Sequence, residues 1–193
     1  MKMTVYFIRH AETPGNLERR YIGGRTDEPL SDAGRKKAAQ VVGLPTLCRV
    51  YSSPMKRAVE TAEIMFPQAE IIPVEGLREM DFGVFEGRNA DEMENDPAYR
   101  AWVEGFCKDA PPGGEDMEAF TGRACRAFLS CLEKERERGE KTAAVVAHGG
   151  TIMAVMSRLC SPERSYYDWR LPNCRGYIVE TEDGKTLLLV GEI

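Results

Sequence analysis

The sequence predicts an α/β protein with three layers, in which a mostly parallel central sheet is covered by helices on both faces. Two observations lead to this fold class. Short apolar runs of strand length alternate with segments of helical periodicity through most of the chain. The runs that end near Arg9 and Ala147 are almost continuously apolar, which is typical of strands buried on both faces.

The only two histidines of the chain stand at the ends of these two runs. His10 follows the first run and Arg9, and His148 follows the second run and precedes Gly149. In open α/β sheets, ligands bind in the crevice beyond the carboxyl ends of the strands. We therefore expect the two histidines, although far apart in sequence, to share one site.

The first half of the chain is predicted to begin with a strand at residues 3–9, followed by a polar loop over residues 11–29. A loop of this length inside a compact domain is usually functional or disordered. Ser31 is a favourable N-cap for a helix that runs through Val42 and stops at Gly43. The other predicted elements here are a strand at 49–52, a helix opened by Ser53-Pro54 that ends near residue 66, and a short strand at 70–73.

The second half opens with an irregular stretch at residues 74–114, which we expect to form a small cap on one domain spanning residues 1–193. Thr151 is expected to cap the helix that follows His148. The turn signal Asp183-Gly184 predicts a hairpin that forms an antiparallel edge of the sheet. The predicted elements are helical stretches near 89–95 and 97–106, a long helix at 116–138, a strand ending at 147, a helix at 151–159, and strands at 175–181 and 186–191.

The composition excludes some kinds of binding partner and indicates where the protein is located in the cell. A net charge of −5 argues against bulk nucleic-acid binding, which usually leaves a basic footprint. No run approaches the ~20 apolar residues that cross a bilayer, and the N-terminal apolar stretch is too short for a signal peptide. Six cysteines without a Cys-x-x-Cys pair argue against a zinc site and a disulfide framework. We expect a soluble, cytoplasmic protein with reduced, mostly buried thiols.

The segment from Arg9 to Asn16 carries the chemistry at the first strand end. The guanidinium of Arg9 is a planar fork of donors that matches phosphate oxygens. A neutral His10 offers a ring nitrogen that is nucleophilic near physiological pH. The alternative is an exposed basic pair at the entry to a loop, which would leave the long polar loop without an evident purpose.

This segment resembles the Arg-His-Gly-Glu-Thr-x-x-Asn signature of the histidine phosphatase superfamily, the phosphoglycerate mutase-like enzymes. The resemblance continues in order along nearly the whole chain, and five such motifs together are highly specific. Where the family usually has Gly after the first histidine, this chain has Ala11, which we expect to be tolerated with a negative φ. The similar segments are residues 9–16, 23–34, 51–62, 77–87 and 147–150.

The resemblance implies a phosphoglycerate mutase-like fold and a role for each matching residue. His10 would attack phosphorus and become a phosphohistidine, and Glu79 would protonate the leaving oxygen and later accept a proton from water. The phosphate would be held by Arg9, Asn16, Arg57 and His148. No metal or other cofactor is implied, because the protein's own cations take the place of magnesium. For Glu79 the alternative to a catalytic role is a surface ion pair with Arg78. For Arg57 the alternative to phosphate binding is a solvated side chain on a helix.

Within the family, the chain is too short for the insertion and tail found in mutases, which favours a phosphatase acting on a small phosphorylated substrate. The stretch from residue 77 to Phe120 resembles the corresponding part of α-ribazole phosphatases, whose substrate carries a benzimidazole. The resemblance implies that Trp102 and Phe106 of this chain could stack on that ring. The alternative is that both side chains only pack between helices of the cap. A phosphoglycerate mutase and a catalytically silent phosphate-binding module remain as rival hypotheses. The sequence does not predict an oligomeric state.

Overall fold

A computed structural model of the chain describes residues 2–193. Across these residues seven strands form one sheet in the order β3-β2-β4-β1-β6-β7-β5. β6 alone runs against the others, pairing antiparallel with both β1 and β7, so the sheet is mostly parallel as predicted. The strands are β1 (Met3–Arg9), β2 (Arg49–Ser52), β3 (Glu70–Pro73), β4 (Thr142–Ala147), β5 (Cys160–Ser161), β6 (Gly176–Thr181) and β7 (Leu187–Glu192).

The helices form two layers because successive residues of the central strands point to opposite faces. Val5 and Phe7 of β1 pack on one face in a cluster with helices α5 and α6, whereas Ile8 packs on the other face with α2 and α3. This arrangement is the predicted three-layer α/β/α fold. The helices are α1 (Pro14–Leu17), α2 (Asp32–Ala39), α3 (Lys56–Met65), α4 (Pro97–Glu104), α5 (Met117–Glu137) and α6 (Gly149–Leu159).

The predicted cap region contains α4 and three short 3-10 turns, Glu75–Leu77, Gly83–Phe85 and Asp91–Met93. Its own apolar cluster is formed by Phe85, Met93 and Trp102, with partly buried aromatic residues around them. None of the helices in residues 2–193 is both long and apolar enough to cross a membrane.

Three details differ from the sequence-based expectations. α2 ends at Ala39 and leaves Val42 85 % exposed, because the chain already turns before Gly43. α3 begins at Lys56, so Ser53-Pro54 belongs to the preceding turn. The terminal hairpin does not form the sheet edge, because the two-residue strand β5, which was not predicted, pairs outside β7.

Thr151 is also placed differently from the prediction. His148 is the N-cap residue of α6, and Thr151 lies inside the helix, fully buried. Its hydroxyl group donates to the backbone carbonyl of Arg78 at 3.3 Å. The predicted N-cap is therefore wrong, and the threonine instead ties α6 to the segment that precedes Glu79.

Candidate active site

The two histidines meet because β1 and β4 are neighbouring parallel strands. Arg9 is in register with Ala147, and the amide of His10 donates to the carbonyl of Ala147 at 2.9 Å. The imidazole rings of His10 and His148 consequently lie edge to face with their centroids 5.1 Å apart. This spacing allows both rings to contact one ligand the size of a phosphate group.

His10 has one ring nitrogen occupied and the other left over. Its Nδ1 lies 2.6 Å from the carbonyl oxygen of Ala11. Since a carbonyl only accepts, Nδ1 carries the proton and Nε2 keeps its lone pair. Burial lowers the pKa of His10 well below 6.5, and the nearby Arg57 and Arg9 lower it further. The ring is therefore neutral and nucleophilic at physiological pH.

His148 is oriented by residues from two other segments. The Nε of Arg57 donates to His148 Nδ1 at 3.2 Å, so Nε2 carries the proton, which it donates to Ser53 Oγ at 2.7 Å. Burial lowers the pKa of His148 well below 6.5, and the charge of Arg57 adds to the effect. Both ring nitrogens of His148 therefore have partners, and its single N–H, beside His10, is donated to Ser53. The contact with Ser53 was not predicted, and the Ser-Pro dipeptide gave no sign of it.

Arg57 lies in the first turn of α3 and is fully buried, so it is not a solvated helical arginine. Besides His148, its guanidinium group donates to the carbonyls of Thr26 at 2.8 Å and Gly23 at 3.0 Å. The polar loop that follows β1 therefore wraps around this side chain. This contact gives the long loop a structural purpose, which is to hold a cation next to the two histidines.

Arg9 is the cation with an unused donor. Its Nη1 donates to the carbonyl of Leu171, but its Nε is buried and has no hydrogen-bond partner within residues 2–193. A buried N–H without a partner costs about 1–3 kcal/mol. The guanidinium lies so close to Gly149 that a Cβ there would come within 3.3 Å of its Cζ. An anion at this strand end would supply the missing acceptor.

Glu79 is buried and is held by backbone amides. Gly150 donates to Oε2 at 2.8 Å and Met80 donates to Oε1 at 3.0 Å. Burial raises the pKa of Glu79 above its usual value, and the two amides and the charges of Arg57 and Arg9 oppose the increase. The alternative of an ion pair with Arg78 does not occur, because Arg78 pairs with Glu75.

Asn16 joins the site through a residue that the sequence did not predict. Its Oδ1 accepts from the amide of Thr13 at 3.3 Å and from Asn173 Nδ2 at 3.2 Å. Asn173 also donates to the carbonyl of His10 at 3.0 Å. With Oδ1 occupied by two donors, the Nδ2 group is the part of Asn16 left to donate to a ligand. The only sign of Asn173 was its place in the loop before β6.

Ala11 fills the position where glycine was expected. It is completely buried, and its amide donates to Thr61 Oγ1 at 2.9 Å. Among the non-glycine residues described, positive φ occurs at Arg19, Phe106, Cys107 and Cys174, so Ala11 lies outside the left-handed region. The backbone here accepts a Cβ without strain, as expected.

A cavity of about 230 Å³ lies against Glu79 and Gly150, between the body of the protein and the cap. Trp102 forms part of its wall and also packs in the cap cluster, with Nε1 donating to the carbonyl of Asp109 at 2.9 Å. Phe106 is 74 % exposed and is not part of the wall, so its predicted stacking role is not supported by its position. The remaining wall residues are Tyr21, Met80, Phe82, Cys107, Met117, Met153, Tyr166 and Tyr167.

A more open cavity of about 580 Å³ also touches Glu79. Three arginines line it, but each pairs with a carboxylate: Arg25 with Asp81, Arg78 with Glu75, and Arg123 with Glu115. These cations are already neutralised, so this cavity offers less to an anion than the strand ends do.

Comparisons with known proteins show which family the chain resembles in sequence and in fold. The chain is 34 % identical over 180 residues to the probable phosphoglycerate mutase GpmB of Salmonella choleraesuis (strain SC-B67), covering 89 % of this chain and 82 % of that protein. Its structure is similar to the α-ribazole phosphatase from Shigella flexneri, with a TM-score of 0.82, 26 % identity and coverage of 97 % and 96 % of the two chains.

The phosphoglycerate mutase from Bacillus anthracis str. Sterne has the same fold, with a TM-score of 0.80, 24 % identity and coverage of 98 % of this chain and 92 % of that one. The family model described as histidine phosphatase superfamily (branch 1) matches residues 5–192. The chain therefore belongs to the histidine phosphatase superfamily.

Proposed function

We propose that the protein is a phosphomonoesterase that works through a phosphohistidine at His10. The lone pair of His10 Nε2 attacks phosphorus and forms a P–N bond while the P–O ester bond breaks. The proton of Glu79 passes to the departing oxygen. Water then attacks phosphorus, the Glu79 carboxylate takes a proton from that water, and the P–N bond breaks to release phosphate. The tautomer and the low pKa of His10 support its role as the nucleophile.

The transferred phosphoryl group needs its negative charge balanced throughout the reaction. Arg9 has an unpartnered buried Nε, and the N–H of His148, which donates to Ser53, would turn to the phosphate when it binds. Arg57 contributes a buried positive charge, and Asn16 adds a neutral donor. These four side chains support the binding of a phosphate dianion at the strand ends.

The observation that carries the choice of phosphatase is the cavity beside Glu79. Among the residues described, none that lines it carries a positive charge, and most are aromatic or methionine. The leaving alcohol would occupy this cavity and not the more open one, because Gly150, two residues from His148, forms its wall together with the proton donor Glu79. An apolar ring fits such a wall, whereas the carboxylate of a phosphoglycerate would lack a cation there. α-Ribazole 5′-phosphate, which carries a benzimidazole, is the substrate we propose.

A second candidate is a phosphoglycerate mutase, favoured by the name of the relative from Salmonella choleraesuis. A mutase returns the phosphoryl group from the histidine to the substrate instead of to water. It requires a bisphosphoglycerate primer and converts 3-phosphoglycerate to its isomer. A silent phosphate-binding module, the third candidate, would turn over neither class of substrate.

A panel of phosphorylated metabolites distinguishes these candidates. We expect the highest kcat/KM with esters whose alcohol carries an aromatic ring, α-ribazole 5′-phosphate among them, and little release of phosphate from 3-phosphoglycerate. Hydrolysis should persist in EDTA and be blocked by vanadate. Primer-dependent isomerisation of 3-phosphoglycerate at a rate above that of every hydrolysis would replace our proposal with the mutase.

Acid quenching with labelled substrate tests the intermediate. The label should be trapped on His10, and His10→Ala should abolish both trapping and turnover. The matched variant His148→Ala should react slowly but still become labelled on His10. A His10→Ala variant that keeps most of its rate would show that the nucleophile is a different residue.

A further inference from the structure

Arg123 of α5 forms hydrogen bonds to the backbone of the segment that carries Glu79. It belongs to none of the five motifs. Its Nη1 donates to the carbonyls of Gly76 and Arg78, each at 3.0 Å, and its Nη2 approaches the carbonyl of Glu79 at 3.5 Å. A single guanidinium group therefore contacts three carbonyls within four residues of chain. Such a fork is available only to arginine among the side chains.

The guanidinium is itself held from the opposite side by Glu115. Nε of Arg123 lies 3.0 Å from Glu115 Oε1 and Nη2 lies 2.7 Å from Oε2, a two-point ion pair. Both side chains are largely buried, with 28 % and 20 % exposure. A two-point pair restricts the plane of the guanidinium, so its remaining donors point in a defined direction.

The segment that these residues hold has no regular structure of its own. Residues 78–82 lie between two 3-10 turns and make no helix or strand ladder. Their carbonyls are instead bound from outside: Gly24 donates to Met80 at 2.9 Å and Glu115 donates to Asp81 at 2.9 Å. The position of the Glu79 carboxylate thus depends on contacts supplied by other parts of the chain.

We propose that Arg123, fixed by Glu115, is a positioning residue that aims the Glu79 carboxyl group at the leaving oxygen. The inference rests on the proposed function, in which Glu79 is the acid. Within residues 2–193, Arg123 makes no hydrogen bond to the phosphate donors or to the histidines; the hydrogen-bond partners of its side chain are Glu115 and the backbone of the segment that carries Glu79. Its contribution is to keep the proton of Glu79 within reach of the departing oxygen.

A leaving-group series tests the proposal. An acidic phenol such as p-nitrophenol departs without much help from an acid, whereas an alkyl alcohol needs the proton. Arg123→Lys keeps the charge but loses the fork. We expect it to lower kcat/KM for an alkyl phosphate by about 10–100-fold and to change the value for p-nitrophenyl phosphate little. The fall in the rate of Arg123→Lys at high pH should also shift in pH, because the surroundings of the Glu79 carboxyl group change.

The series also includes Glu79→Gln, alone and combined with Arg123→Lys, and a control variant elsewhere on α5. Glu79→Gln should show the steepest dependence on the leaving group, and adding Arg123→Lys to it should have little further effect. Arg138→Lys is the matched control, because Arg138 also binds a carboxylate and other oxygen atoms, at the far end of α5. It should leave both rates unchanged.

Each result decides one question. If wild type and Glu79→Gln depend equally on the leaving group, Glu79 is not the acid and the proposed function fails. If those two differ as expected but Arg123→Lys loses the same factor with both esters, or its effect multiplies with that of Glu79→Gln, only the role of Arg123 is overturned. Should Arg123→Lys fail to fold by thermal melting, Glu115→Gln, which releases the guanidinium, must show the same selective loss.

Discussion

Gly150 lies against the proposed acid so closely that a single methyl group should displace it. A Cβ built on Gly150 would lie 2.9 Å from Cδ and 3.1 Å from Oε2 of Glu79, and closer still to Oε1. Ordinary carbon contacts begin near 3.5 Å, so the carboxyl group must retreat by about 1 Å. Gly150 is helical and does not have positive φ, so the backbone itself accepts alanine.

The expected cost of Gly150→Ala follows from that displacement. A shift of about 1 Å in a reacting group lowers the rate by about 100-fold, or about 2.7 kcal/mol. We expect this loss in kcat/KM for alkyl phosphates and a smaller loss for p-nitrophenyl phosphate. Steady-state kinetics with the two esters, together with a thermal melt to verify folding, measure it.

Gly122→Ala is the matched control, because Gly122 is also helical and its nearest neighbour is the end of the flexible Arg126 side chain, 3.2 Å from the added Cβ. It should keep the wild-type rate and stabilise the protein by about 0.5–1 kcal/mol. A Gly150→Ala enzyme with wild-type rates for both esters would refute the reasoning, because the acid would then tolerate a displacement that the geometry forces.

Three further predictions concern the same site. The value of kcat/KM should fall as pH rises through the pKa of the required acid Glu79, which burial raises above 4.5. The fall at low pH should lie below 6.5, because burial together with Arg57 and Arg9 lowers the pKa of His10, and a pH–rate profile of Glu79→Gln should lack the fall at high pH. Both histidines stay neutral in the folded state, but they take up protons below pH 6.5 when the chain is unfolded. The free energy of unfolding should therefore fall as pH drops through 6.5, by at most about 1.4 kcal/mol per pH unit for each histidine. Urea melts that show no such decrease would contradict the burial of the two rings. Asn173→Ala should raise KM by about 3–10-fold, because Asn16 loses the donor that orients its amide, whereas Asn89→Ala in the cap should leave KM unchanged.

The two arginine side chains of the site are held in place by other groups of the protein. Arg57 is held by backbone carbonyls and by His148, and Arg9 lies against the start of α6. Because these charges are fixed before a ligand arrives, little reorganisation accompanies binding of a phosphate group. The same burial keeps both histidines neutral, which suits one as a nucleophile and the other as a donor.

Much of this fold was predictable because the signals are local. The continuous apolar runs of β1 and β4 and the cap at Ser31 each act within a few residues, and the structure contains the corresponding elements. The strand-end rule then predicted that His10 and His148 would lie together, and their rings are 5.1 Å apart. The motif resemblance named the other side chains of the same cluster.

The contacts between distant segments were decided only by the tertiary structure. No local pattern shows that Asn173 bonds to Asn16, that Ser53 accepts from His148, or that Arg123 binds the carbonyls before Glu79. Thr151 had a plausible local role as a cap, and packing of α6 against the cap region overrode it. Hydrogen-bond partners across long loops depend on how whole layers pack, and periodicity along one segment carries no information about that packing.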